Sequence, residues 1–555
     1  MKRFFAFSLL LVFSIITNAS EISQKWQFTD IRSNINSLSL EKLDFSEDYL
    51  EIKDDNTFKY QIIEKNILAK GTWEIIKEKI IFNYTLPKDT IREYNINLEK
   101  ESLILTEGNI DYCFSTIKIK NNSTNKLTNY LRGILGLLSL ILIAFFFSRD
   151  RKAINWQLVL KGLLFQFLLA VLILKVPFVQ NIFVWMSQVF VTILQFSKAG
   201  ALFLFGETLV NNNQFGAIFA FQILPTIIFF SALTSVLFYF GVLQKIIYLC
   251  AAIMKKTLKL SGAESLAAAG NVFLGQTESP LLIKPYIDKM TTSELLCLMS
   301  GGMATIAGGV LAAYIGFLGG SDPVQQLFFA KHLLAASVMS APAAIVVSKI
   351  LIPETNKVNE DMSISNKDLG TNSLEAISIG TSQGLKLAIN VGAMLLVFIA
   401  FITMTNYFLK DFLGELINLN SWINDFTEGQ YSGLTLEFLL GYLLAPLTWL
   451  MGVCKEDMIL VGQLLGEKTI LNEFVAYISL SELKESGKFL EEKSIVIATY
   501  ILCGFANFAS IGIQIGGIGS LAPSRRKDLS KLGILALIAG TLASLLTAVL
   551  VGAII

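Results

Sequence analysis

The sequence predicts an all-α polytopic membrane protein of eight transmembrane helices and two re-entrant hairpins in an inverted repeat, with a small extracytoplasmic all-β domain at its N-terminus. Three observations support that class. The chain of 555 residues is 53% hydrophobic and only 16% charged, with a mean hydropathy of +0.58, a composition suited to lipid. Eight apolar runs approach the roughly 20 residues that a crossing helix needs. Two further apolar stretches are interrupted near their middles by glycine and polar residues.

Residues 1–20 have the layout of a secretory signal: Lys2 and Arg3, an apolar stretch from Phe4 to Ile16, then Thr17, Asn18, Ala19 and Ser20. No cysteine follows the apolar stretch, so a lipid-anchored N-terminus is not expected. Residues 21–125 alternate apolar and polar side chains over Tyr49 to Lys53, Thr57 to Glu64, Lys79 to Leu86, Glu93 to Leu98 and Tyr112 to Lys120. Asp54-Asp55-Asn56, Pro87-Lys88-Asp89 and Glu107-Gly108-Asn109 break the alternation, which reads as strands joined by tight turns. Gly71-Thr72-Trp73-Glu74 followed by Lys79-Ile80-Ile81-Phe82 resembles the strand pattern of lipocalin-like domains, with Trp73 expected as a core residue rather than a ligand contact.

The expected crossings are Leu131 to Phe147, Trp156 to Val176, Ala217 to Phe240, Leu295 to Leu318, Leu327 to Ile352, Leu387 to Met404, Ile495 to Ile515 and Leu532 to Val551. Arg149, Arg151 and Lys152 follow the first, Lys245, Lys255 and Lys256 the third, and Arg525, Arg526 and Lys527 the seventh. Positive charge marks cytoplasmic loops, so the N-terminal domain and the C-terminus are both expected outside. The charged loop from Glu354 to Asp368 reads as a solvated cytoplasmic linker.

Residues 261–287 and 457–480 are the interrupted stretches. The first carries Asn271, Gly275, Gln276, Thr277, Glu278, Pro280 and Pro285; the second carries Gly462, Gly466, Glu467, Lys468, Asn472 and Glu473. Broken backbone at membrane depth is tolerated where it is buried in protein or lines a cavity, so both are expected as hairpins, the first entering from the cytoplasm and the second from outside. A carboxylate such as Glu278 costs roughly 2.5–3.5 kcal/mol at the bilayer centre on insertion scales, which makes it a site residue by default.

An interfacial stretch, a hairpin, a crossing with a polar break and a plain crossing run from Leu243 to Ile352 and again from Leu436 to Ile555. The breaks are expected at Thr305-Ile306-Ala307-Gly308 and at Ser510-Ile511-Gly512. Opposed repeats with discontinuous helices mark secondary transporters, whose site lies near the bilayer midplane. Antiporter, symporter and uniporter look alike at this level.

Other classes find little support. A net charge of +1 offers no basic surface for nucleic acid. Cys113, Cys250, Cys297, Cys454 and Cys503 are scattered singly and read as apolar fillers. His332, the single histidine, lies on an apolar run and reads as a core residue. An intramembrane enzyme built on Glu278 and Glu473 would need a nucleophile or metal beside them, and neither an HExxH nor a GxSxG pattern occurs, so no enzyme and no cofactor are expected. A sensor lacks a signalling domain, and hairpins from both sides suit alternating access better than a channel.

Asn271 to Glu278 (NVFLGQTE), Asn472 to Tyr477 (NEFVAY) and Cys503 to Ser510 (CGFANFAS) resemble the signature segments of the concentrative nucleoside transporters. Leu224-Pro225-Thr226, Phe229 to Leu233, Arg151 to Asn155 and Gly519 to Pro523 match as well, so the resemblance covers about residues 130–555. It implies a cation-coupled nucleoside importer of the bacterial inner membrane, a homotrimer in which scaffold helices (126–240 and 383–410) hold a moving domain. That domain comprises a first repeat (241–352) and a second (411–555), with a linker at 353–382. By motif, Gln276, Thr277, Glu278 and Val310 face the nucleobase, while Glu473, Asn507 and Ser510 hold the ribose and Phe505 walls the pocket. Asn271, Leu274, Thr305 and Ile306 correspond to sodium ligands, through their carbonyls and the side chains of Asn271 and Thr305. Some members use protons instead, and the choice of purine or pyrimidine stays open.

Overall fold

The computed structural model describes residues 25–116 apart from 34–48, 53–56, 63–66, 77–78, 87, 89, 100–101 and 109, and residues 126–555 apart from 211–218, 321, 357, 360, 363–371 and 428. The expected signal segment, the whole turn at 54–56, parts of the turns at 87–89 and 107–109, and part of the linker fall outside these residues. The chain forms two compact units, 1–124 and 125–555.

In the first unit, alternation becomes a closed antiparallel barrel. Its strands are β1 (Lys25–Ser33), β2 (Tyr49–Ile52), β3 (Thr57–Ile62), β4 (Ile67–Ile76), β5 (Lys79–Leu86), β6 (Thr90–Glu99), β7 (Ser102–Glu107) and β8 (Ile110–Thr116). Among the described residues each pairs with the next, and β8 returns to β1, which closes the barrel. β1, β4 and β7 add to the five strands expected. Alternate side chains point inward: Leu50 and Ile52 on β2, Ile80 and Phe82 on β5, Leu103 and Leu105 on β7. Trp73 joins Trp26, Phe28, Phe58 and Phe114 in that core, with Phe58 and Phe82 ring centroids 4.4 Å apart, as expected for a packed structural tryptophan.

The second unit is helical, and among the described residues eight of its helical segments are long and apolar enough to cross a membrane. The peripheral ones are α1 (Lys126–Phe146), α2 (Trp156–Lys175), α3 (Pro177–Phe205) and α4 (Leu224–Tyr239). The first repeat follows as α5 (Val242–Leu258), α6 (Gly262–Asn271), the short turns Ser279–Leu282 and Lys284–Ile287, α7 (Thr292–Ala304), α8 (Gly308–Gly319) and α9 (Pro323–Leu351). After α10 (Ser373–Asn406) and a π-helical segment Tyr407–Gly414 comes the second repeat. It consists of α11 (Leu436–Leu450), α12 (Met458–Ile470), α13 (Glu473–Glu485), α14 (Glu492–Leu502), α15 (Phe508–Leu521) and α16 (Arg526–Ile554). Matching elements thus recur in the expected order.

Side-chain caps explain many helix starts, because the first N–H groups of a helix lack internal partners. Ser261 caps α6, Thr291 forms a full capping box with Glu294 at α7, Asn372 caps α10, and Asn472 and Asn507 cap α13 and α15.

Three expectations about the crossings need correction. The helix α3 was not expected; Gln180, Gln188, Gln195 and Lys198 dilute it to a hydropathy of 1.5, the lowest of the eight segments. The run Ile495 to Ile515 is not one crossing, since α14 and α15 are helices of 11 and 14 residues separated at Cys503–Asn507. The second break therefore lies ahead of Ser510-Ile511-Gly512, which are helical; Gly504 takes φ +90°, and Asn507 restarts the helix by accepting from the Ser510 N–H. The first break falls where expected, between Ala304 and Gly308. Finally, α10 begins at Ser373, well before the expected Leu387, because Asn372 caps it there.

Burial separates two classes of helix. The apolar window of α9 is 94% buried and that of α7–α8 is 83%, against 11% for α3 and 17% for α10. The repeats form the interior, and α3 and α10 present Phe178, Phe203, Leu204, Leu396 and Phe401 outward as a lipid-facing surface would.

Candidate functional site

The site is assembled from two hairpin tips and two helix breaks. The first tip is a tight coil: the Leu274 N–H donates to the Gly270 carbonyl at 2.8 Å, and the Ser279 N–H to the Gly275 carbonyl at 3.0 Å. The Gly308 N–H at the start of α8 donates to the Phe273 carbonyl at 3.2 Å, which ties this tip to the first break. The second tip is shorter, because Asn472 caps α13 almost as soon as α12 ends.

One hydrogen-bonded run crosses between the repeats. The Gln276 amide donates to the Ser510 hydroxyl at 3.2 Å, the Ser510 N–H donates to Asn507 Oδ1 at 2.8 Å, and Asn507 Nδ2 donates to Glu473 Oε2 at 2.6 Å. Glu473 is the first residue of α13, where a carboxylate gains from the positive end of the helix dipole. The run joins the first hairpin, the second break and the second hairpin through buried side chains.

The other expected residues lie around it. Thr277 packs on α15, so closely that a Cβ at Gly517 would sit 2.8 Å from its methyl group. Phe505 is buried within the second break, and Val310 is buried on the first turn of α8. Glu278 turns away from the run toward a cavity of about 130 Å³ lined by Gly275, Gly308, Val310, Ser231 and Phe238 on α4, and Gln383 on α10. Among the described residues Glu278 and Glu473 are not hydrogen-bonded to one another; Glu278 lines this cavity, and Glu473 ends the hydrogen-bonded run. Gln276 Oε1 and Glu278 Oε2 are buried without hydrogen-bond partners among the described residues, the latter packed against Gly275.

Two of the four expected cation ligands lie at the first tip and two at the first break. Thr305, Ile306, Asn271 and Leu274 are all buried. Asn271 Nδ2 donates to the Leu298 carbonyl at 3.4 Å, while Asn271 Oδ1 has no partner. The Thr305 hydroxyl donates to the Gly301 carbonyl at 2.9 Å, which leaves its oxygen lone pairs free to accept. Ser337 on α9 braces the pair, donating to the Val272 carbonyl at 3.1 Å and accepting from the Ile306 N–H at 3.4 Å. These donors are neutral oxygens, and among the described residues no group of three or more His, Cys, Asp or Glu is gathered for a metal. An orphaned amide oxygen among freed carbonyls fits a hard monovalent cation.

Three family profiles match: the Na+ dependent nucleoside transporter N-terminus over residues 135–208, the nucleoside recognition Gate over 220–321, and the Na+ dependent nucleoside transporter C-terminus over 332–552. An uncharacterized transporter of Haemophilus influenzae is 40% identical over 426 residues, covering 76% of this chain and 97% of the relative. The chain belongs to the Na+ dependent nucleoside transporter family. Solute carrier family 28 member 3 of Eptatretus stoutii is 41% identical over 439 residues, which span 76% of this chain and 60% of that longer protein. The transporter also resembles CNTnw solved in an inward-facing substrate-bound state, with a TM-score of 0.68 at 38% identity over 76% of this chain and 98% of the other. The family is one of transporters, not enzymes.

Some residues of the transporter's site were not singled out from sequence. Gln514 donates to the Met299 carbonyl at 2.9 Å and lies against the same face of α7 as Gln276, where Gly302 leaves room for both. Ser337 sits in an apolar stretch of α9, between Leu333 and Met339. Lys468 is wholly buried and donates to the Ile501 and Cys503 carbonyls at 2.9 and 3.0 Å. A lysine inside an apolar hairpin was the available signal, and only the position of the second break gives it a partner.

Proposed function

We propose that the protein is a sodium-coupled nucleoside symporter that imports nucleosides across the bacterial inner membrane by alternating access, as a homotrimer with its β unit and C-terminus on the outer side. In this reading α1–α4 and α10 form the scaffold and the two repeats form the moving domain. The observation that carries it is the run from Gln276 through Ser510 and Asn507 to Glu473, flanked by unpartnered acceptors.

Gln276, Thr277 and Glu278, with Val310, meet the base edge, which offers both donors and acceptors. Glu473 accepts from ribose hydroxyls, with Asn507 and Ser510 completing the polar side and Phe505 the apolar one. Charge-assisted bonds of this kind are about twice as strong as neutral ones. Sodium held by Asn271, Leu274, Thr305 and Ile306 fastens the first tip to the first break, and so orders the segment that presents Gln276 to Glu278. Binding of either solute then favours the other, since coupling between two sites is reciprocal. Closure around both commits the domain to move.

The test is uptake of radiolabelled nucleoside into proteoliposomes under an imposed sodium or proton gradient, with a panel of competing nucleosides. Uptake is expected to follow sodium at constant pH. Uptake that follows only the proton gradient would reject the ion, and no uptake of any nucleoside would reject the substrate class.

A further inference from the structure

The second break holds a cation of its own. Lys468 stands in the last turn of α12, the first helix of its hairpin, as Asn271 ends α6, the first helix of the other hairpin. Its ammonium donates to the carbonyls of Ile501 and Cys503, at the broken end of α14, at 2.9 and 3.0 Å, and to the Ser544 hydroxyl at 3.4 Å. Ser544 lies on α16, the long helix that closes the second repeat, and its hydroxyl lies 2.7 Å from the Cys503 carbonyl. The first repeat has a polar residue and a serine at corresponding places: Asn271 Nδ2 donates to the Leu298 carbonyl within α7, and Ser337 on the closing helix α9 links the Val272 carbonyl to the Ile306 N–H just past the break.

An ammonium has three donors and no acceptor, and here all three find oxygen. Among the described residues no carboxylate lies within ion-pair distance of Lys468; the neighbouring Glu467 turns its Oε1 to the Gln463 amide at 2.8 Å instead. A charge with no exposed surface is thus hydrogen-bonded only to neutral dipoles, at the negative end of a helix, as a carbonyl cage holds an alkali ion, with the Glu473 carboxylate attracting it from beyond ion-pair distance.

We propose that the Lys468 ammonium is a tethered counterpart of the coupling cation, filling in the second repeat the position that a dissolved ion takes in the first. It cannot leave, so only the first break exchanges its cation, and the transporter carries one ion per cycle. Truncating Lys468 opens a second alkali-ion site built from the Ile501 and Cys503 carbonyls and Ser544. The inference rests on the sodium reading of the first break.

The experiment uses the full-length protein in detergent and in proteoliposomes, with Lys468→Ala and Lys468→Met, each alone and with Asn271→Ala. Sodium is titrated against choline, with thermal stability and nucleoside uptake as readouts. The native protein is expected to show a single sodium-dependent rise in stability that Asn271→Ala removes. Lys468→Ala is expected to gain a sodium-dependent rise that persists when Asn271 is also replaced, and its uptake to shift from a Hill coefficient of about 1 toward about 2, the bound set by the number of sites. Lys468→Met, which fills the space without charge, is expected to gain neither. Identical sodium responses of the Ala and Met variants overturn the proposal, as does a Lys468→Ala protein that cannot be recovered folded in sodium, potassium or methylammonium. A native protein whose stability and uptake ignore sodium, with Lys468→Ala still gaining a sodium response, overturns the first-break reading and leaves the second cage standing.

Discussion

In the first repeat, Asn271 donates its Nδ2 to the Leu298 carbonyl within α7 and keeps an Oδ1 without a partner; in the second, the carbonyl end of α14 faces an ammonium with three acceptors. Both helices stop inside the protein, where each unsatisfied backbone group is costly, so the freed carbonyls at each break need a donor or a cation. The difference teaches which break can change state. A gap completed by a dissolved ion is present or absent with that ion, whereas one completed by a side chain is permanent.

That contrast can be broken in graded ways. Glu473→Gln should have the largest effect, because it removes the only charge in the run that reaches the second break. Loss of a charge-assisted bond worth about 1.5–3 kcal/mol lowers uptake by roughly 10- to 150-fold at equal expression. Unchanged nucleoside accumulation in that variant would remove Glu473 from the site.

Gly504→Ala comes next and acts on both breaks together. A Cβ there would lie 2.5 Å from the Ala304 carbonyl carbon, at a φ of +90° that L side chains rarely adopt. A stability loss of about 1–3 kcal/mol is expected, read as a lower melting temperature in detergent. Asn271→Ala should affect the first break alone, raising the sodium needed for half-maximal uptake about tenfold, which corresponds to 1.4 kcal/mol. An unaltered sodium dependence would show that Asn271 Oδ1 is not a ligand. Thr305→Ser keeps the hydroxyl and should leave the sodium curve within about twofold, well under the energy of one hydrogen bond. Removing residues 21–125 behind an intact export signal should change uptake least, since the barrel is a compact unit of its own.

Much of this arrangement was legible in the sequence, and the illegible parts have definite causes. Hydropathy and charge gave the repeats, because the hairpins carry Gly275 to Glu278 and Asn472 to Glu473 inside otherwise apolar runs. The first break was legible in Thr305 to Gly308 for the same reason. The second was displaced, because Cys503, Phe505 and Ala506 are apolar and only Gly504 and Asn507 hint at an interruption; backbone conformation, not polarity, ends α14. The helix α3 was hidden by its glutamines, which weigh against crossing when averaged with their neighbours. Direct pairing between residues far apart, such as Gln276 with Ser510, follows from how α15 packs on the first hairpin and has no local signature.

The contact at Gly504 has one more consequence. Its backbone rests on Met303 and Ala304, and the Cys503 thiol lies 3.8 Å from the Ala304 carbonyl, so the two interrupted helices cross at their interruptions. Each is slack at the point where it presses on the other, like two jointed rods pinned at the elbow. A bend at one elbow would press on its twin, so motion in either half of the molecule is expected to be felt in the other.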